Sequence, residues 1–140
     1  MQAIPTLYFQ GVCDDALSFY HGAIGADILF HYRVADIADA QQIRPGTAGR
    51  TVRAGLRIGA TVLYLADAHR PDSPPPAGFS ITLTAVTPDE AARLLDALAD
   101  GGAVQFPLRE TAWAVAYGTV RDRFGVHWTV EAGVKHAIGS

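Results

Sequence analysis

The chain has 140 residues, 49% of them hydrophobic and 18% charged, with 14 acidic against 11 basic side chains and a formal net charge of −3. That mixture suits one ordinary globular domain with a real core and excludes a disordered chain. It carries no basic run or stripe, which argues against a nucleic-acid partner, and no apolar run approaches a membrane span. No charged-then-apolar leader pattern precedes the first strand-like segment, so a cytoplasmic protein with no membrane partner is expected. A lone cysteine, Cys13, has no mate for an internal disulfide, in keeping with a reducing compartment.

Ile4 to Phe9 is short and apolar and reads as a strand. Asp14 and Asp15 then open a helix, acidic where the helix dipole favours it. Ala16, Leu17, Phe19, Tyr20 and Ile24 recur at helical spacing, and Gly25 is the stop. Asp27 to Val34 returns as a strand, with His31 alternating against Phe30 and Tyr32 as a surface residue. Residues 35–49 carry Gln41, Gln42, Pro45 and Gly46 and read as an exposed loop with a short helical turn. Thr51 to Ile58 and Thr61 to Ala66 are strands joined by a tight Gly59-Ala60 hairpin. Residues 71–78 include three successive prolines, which remove three backbone donors, so the segment reads as a linker.

The second half repeats the pattern. Phe79 to Val86 alternates as a strand. Thr87 is an N-cap, Pro88 takes the first helical position, and Glu90 completes a capping box. Ala91, Leu94, Leu95 and Leu98 form the buried stripe, Gly101-Gly102 stops the helix, and Ala103 to Pro107 is a short strand. Trp113 to Glu131 closes the set as a hairpin, with arms Val115 to Val120 and Val126 to Val130 around the turn Arg121 to Gly125. Gly reaches positive φ freely there, and Asp122 can bond its own backbone. On the returning arm Trp128 and Val130 face one way; His127, Thr129 and Glu131 face the other. Both halves therefore read strand, helix, strand, strand, strand, over about 1–70 and 79–135.

The segments Pro5 to Gly11, Asp15 to Tyr20, Gly25 to Ile28, Leu56 to Gly59, Gly101 to Val104 and Val120 to Trp128 resemble, in order and spacing, the vicinal oxygen chelate superfamily. That superfamily includes glyoxalase I, extradiol dioxygenases and bleomycin-resistance proteins, and the likeness is greatest to its PhnB-like branch. The resemblance implies a single glyoxalase-like α+β domain over 1–140. It implies two βαβββ modules forming paired half-barrel sheets, helices on the convex faces and a ligand cup between concave faces. It also implies a homodimer.

Metal-dependent members place His, Glu or Gln on the first and fourth strands of each module. The matching positions here are Pro5, Tyr64, Ser80 and Thr129, none a good ligand for Zn, Ni, Fe or Mn, so no metal and no cofactor are expected. A one-residue slip in register would substitute Thr6 or Tyr8, which are no better. His127 and Glu131 are the two candidates that remain; they share a strand face but stand about 13 Å apart, too far for one ion without help from other ligands. Where many PhnB-like chains carry a His after the long loop, this one has Arg53. His127 is the one catalytic candidate, set against a structural or solvent role. Cys13 reads as a small buried residue at a helix start rather than a nucleophile.

By this matching the cup collects Leu7, Phe9, Tyr64, Ser80, Thr82, Trp113, Tyr117, His127 and Thr129. Aromatic and apolar walls with a few hydroxyls and one imidazole are the usual lining of a small-molecule pocket. Arg53 or Arg57 adds a positive group, according to the face each occupies. The alternative is that Phe9, Tyr64 and Trp113 simply fill the core. No nucleophilic triad, phosphate loop or Gly-rich nucleotide turn is present, which leaves a methyltransferase role without support. The sequence thus points to a metal-free protein that binds or sequesters a small molecule. A metal-dependent lyase, isomerase or dioxygenase with a rearranged site is the alternative, and an orphan scaffold with a filled pocket is the third reading.

Overall fold

A computed structural model describes residues 1–70 and 72–138. The chain divides into two compact units, Met1–Pro76 and Ala77–Ser140. In the first, β1 (Thr6–Phe9), α1 (Cys13–Ile24), β2 (Asp27–Arg33), β3 (Thr51–Ile58) and β4 (Thr61–Asp67) follow in order. A short helix α2 (Val34–Ile37) and a 3-10 turn (Ala40–Gln42) lie within the long β2–β3 connection. The sheet order is β1-β4-β3-β2, with β1 parallel to β4 and the other pairs antiparallel. The second unit holds β5 (Ile81–Ala85), α3 (Pro88–Ala99), β6 (Ala103–Arg109), β7 (Ala114–Arg121) and β8 (His127–Val134). Its order is β5-β8-β7-β6 with β5 parallel to β8, the topology of the first unit repeated.

Each sheet buries one face under its helix. Helix α1 turns Cys13, Ala16, Leu17 and Tyr20 inward, toward the face where Leu56, Leu63 and Leu65 are at most 2% exposed. Each such leucine contributes about 1.5–3 kcal/mol through burial. Val12 at the N-cap has no side-chain oxygen, and a carboxylate from β4 does the capping instead. Asp67 Oδ1 accepts from the Cys13 N–H at 3.1 Å while Oδ2 accepts from the Thr51 N–H at 2.9 Å. Gly25, at φ +68°, ends the helix in the left-handed conformation.

Helix α3 buries Ala91, Leu94, Leu95 and Leu98, the stripe expected from its spacing. Thr87 Oγ1 accepts from the Glu90 N–H at 3.1 Å. The reciprocal Glu90 carboxylate reaches the Val86 N–H at 3.3 Å, one residue earlier than a standard capping box.

Element ends depart from the sequence reading where a tertiary partner decides them. The first strand starts at Thr6 rather than Ile4, and the Pro5 carbonyl accepts from the Tyr64 N–H at 2.9 Å just ahead of it. The second strand stops at Arg33, because Asp36 Oδ2 takes the Arg33 N–H at 2.7 Å and α2 begins. The strand expected over 103–107 runs on to Arg109, which edge position β6 permits, since Pro107 need not donate to a ladder. Of the proline-rich linker, residues 72–78 hold no helix or strand, and Pro71 lies outside the described residues. No helix among the described residues is long and apolar enough to cross a membrane.

Candidate functional site

In a strand paired on both sides, register decides which side chains share a face. In the first unit Thr6 pairs with Tyr64, Tyr64 with Gly55 and Gly55 with Phe30, so these four line one row of the face away from α1. Tyr8 with Ala66, and Arg53 with Tyr32, form the next row of that face. Leu7 and Phe9 belong to the other face. They are 1% and 3% exposed, packed in the helix-side core, which corrects their expected place in the cup. Thr6 and Tyr8 stand where those two were expected.

The open face of this unit is an aromatic floor. The Phe30 ring contacts both Tyr32 and Tyr64, at centroid distances of 5.7 and 5.9 Å. Phe30 lies across β3 because position 55 is glycine: a Cβ there would sit 2.3 Å from Phe30 Cε2. Arg53 lies on this face with its guanidinium 4.9 Å from the Tyr64 ring centroid. Arg57 is paired with Asp27 at 2.9 Å. Beside the floor is a hollow of about 500 Å³ lined by Thr6, Tyr8, Tyr32, Ile37, Val52, Arg53, Ala66 and His69. The sequence reading missed Phe30, Tyr32 and His69. For Phe30 and Tyr32 the signal was present, as two rings at i and i+2 on one strand.

In the second unit Ser80, Tyr117, His127 and Thr129 line a hollow of about 390 Å³ together with Phe79, Gln105 and Thr119. Thr82 pairs with Thr129 and so shares its face, while Trp113 packs edge-on against Tyr117 with centroids 5.2 Å apart. Neither lines that hollow. His127 Nδ1 lies 3.2 Å from the neutral Gln105 Oε1, and no ion pair to His127 is found among the described residues. A neutral amide, not a carboxylate, therefore orients this imidazole.

The donor set does not fit the metal of the superfamily. Of the four matching positions, Pro5 offers no side-chain donor, and the Tyr64 ring meets Phe30 edge-on and carries the Arg53 guanidinium over it. Ser80 Oγ and Thr129 Oγ1 hydrogen-bond each other at 3.1 Å. Neutral hydroxyls satisfied by one another are poor ligands for a borderline cation. Among the described residues no three His, Cys, Asp or Glu side chains converge. The Cys13 thiol is buried, and desolvation is the main cause that pushes its pKa up to about 12. It is therefore a thiol, not a thiolate nucleophile, at neutral pH.

Two mixed four-stranded sheets of βαβββ order, each covered by a helix on one face, define the glyoxalase-like α+β class. The chain belongs to the Glyoxalase/Bleomycin resistance protein/Dioxygenase superfamily, whose family model matches residues 5–130. It is similar to Protein YjdN of Escherichia coli strain K12, at 29% identity over 93% of this chain and 94% of that one. The crystal structure of protein PA1353 from Pseudomonas aeruginosa is 36% identical, with a TM-score of 0.83 over 95% of this chain and 98% of that chain. A PhnB protein from Bacillus cereus is 21% identical with a TM-score of 0.80, over 95% and 100% of the two chains, a likeness of fold.

Proposed function

We propose that this is a metal-free protein that binds or sequesters a small organic molecule on its open sheet faces. The observation that carries the reading is the Ser80–Thr129 hydroxyl pair at 3.1 Å, standing where a metal-dependent relative would place ligands. The aromatic and hydroxyl linings of both hollows suit an organic ligand held by shape, stacking and a few hydrogen bonds. The same reading makes the protein a cytoplasmic homodimer. Its single cysteine, buried and without a disulfide, is compatible with a reducing compartment.

The second reading is a metal-dependent lyase, isomerase or dioxygenase. It rests on the breadth of chemistry in the superfamily's name and on His127 and Glu131, which share one face of β8, Glu131 buried on it at 8% exposed. Elemental mass spectrometry on protein purified without chelator separates the two, followed by calorimetric titration with Ni, Zn, Mn and Fe(II). The proposal expects far less than one metal per chain and no binding heat; near-stoichiometric metal overturns it. Sedimentation velocity that shows a monomer at every concentration would retire the dimer.

A further inference from the structure

We propose that the open sheet face of the first unit selects a planar aromatic molecule bearing an acidic group. Arg53 takes the acid and the Tyr8 and Tyr32 rings take the plane. This rests on the small-molecule reading above and names its ligand class.

Two arginines lie on this face, and their situations differ. Arg57 is engaged by Asp27 at 2.9 Å. Arg53 has no carboxylate partner among the described residues; its guanidinium is held over Tyr64 at 4.9 Å from the ring centroid. That ring contact occupies one side of the guanidinium, and no hydrogen bond from it is found among the described residues, so its N–H donors remain available. A guanidinium edge matches a carboxylate or phosphate with two parallel hydrogen bonds. Tyr8 and Tyr32, 50% and 51% exposed, line the same hollow as Arg53. Half-exposed rings beside an unpaired cation form a surface that a conjugated ring with an acid substituent covers well.

The neighbouring hollows add charge of the same sign. One shares Val52 and His69 with this hollow and brings Arg44 and Arg50; another shares Tyr8 and His69 and brings Arg70. Asp67 is the one acid among their described lining residues, and its two oxygens accept from the Cys13 and Thr51 N–H groups. The groove is thus basic in a chain whose formal net charge is −3. No arginine or lysine lines the hollow of the second unit, so the preference for an anion belongs to the first.

The test is calorimetric titration of the full chain with 2-naphthoate, the neutral 2-naphthamide and the non-planar cyclohexanecarboxylate. 2-Naphthoate should bind at least tenfold more tightly than either of the others. Arg53→Gln, a change at an exposed side chain, should erase the advantage over the amide, and Tyr8→Ala the advantage over cyclohexanecarboxylate. Equal binding of acid and amide, or a naphthoate affinity indifferent to Arg53→Gln, overturns the proposal while the small-molecule reading stands. If none of the three binds, this proposal is overturned, and a wider ligand screen that also finds nothing removes the reading beneath it.

Discussion

Asp122 is 2% exposed, and a carboxylate at that depth is tolerated only when donors surround it. Its Oδ1 accepts from the Phe124 and Val126 N–H groups at 2.9 and 3.0 Å, and Oδ2 from the Trp128 indole N–H at 2.8 Å. One side chain therefore shapes the β7–β8 turn and orients the largest core residue of the second unit. Asp122→Ala removes the acceptor of three N–H groups at once, and a loss of about 3–5 kcal/mol is expected. Asp122→Asn keeps one carbonyl acceptor and should lose less. Urea unfolding at constant m-value measures both, and a loss below about 1 kcal/mol for the alanine variant would contradict the network. The turn was legible in the sequence, because Asp followed by Gly at this spacing has a local meaning. The indole bond was not, since alternation assigns Trp128 to the core without saying what its N–H meets there.

At the scale of elements, β1 shows why a strand can be found and its face still misassigned. Thr6-Leu7-Tyr8-Phe9 is apolar or aromatic at three of its four positions, so alternation does not say which side is buried. The parallel pairing of Thr6 with Tyr64 decides it, and that is a contact across 58 residues of sequence. Helix α3 was legible almost to the residue, because cap, Pro88 and leucine stripe all act within one segment. Gly55 is a tertiary feature of the same kind as the β1 face. Its lack of a Cβ matters because Phe30, from another strand, lies on it. Gly55→Ala should cost about 1–3 kcal/mol through that clash and displace the Phe30 ring from Tyr64. The cost should largely vanish in a Phe30→Ala background, a coupling that a double-mutant cycle by chemical denaturation reads directly. An undiminished cost there would mean the strand backbone, not the ring, requires the glycine.

The pH dependence of stability for the whole chain is set in part by one cluster at the start of α1. His31 Nε2 lies 2.7 Å from Thr51 Oγ1 and 3.3 Å from Asp14 Oδ1. Burial, aided by Arg33 and opposed by Asp14, Asp36 and Asp67, holds its pKa below the ordinary 6.5. The unfolded chain then takes this proton before the folded chain does. Stability from His31 is full above 6.5 and is lost as pH falls through the interval below it. Cys13 works on the alkaline side. Its pKa rises from 9.0 to about 12 on folding, so its contribution is full below pH 9 and declines above it, by up to about 1.4 kcal/mol per pH unit. A plateau between roughly pH 6.5 and 9 follows from these two shifts. Thermal unfolding from pH 5 to 11 should show it. His31→Gln should flatten the limb between pH 5 and 6.5, where carboxylates contribute little, and leave the alkaline limb alone. Cys13→Ala should do the converse, its stability difference from the natural chain constant below pH 9 and shrinking above it. A difference that stayed constant to pH 11 would mean that the thiol ionises as readily in the folded chain as in the unfolded one, and α1 would then begin in water rather than in the core.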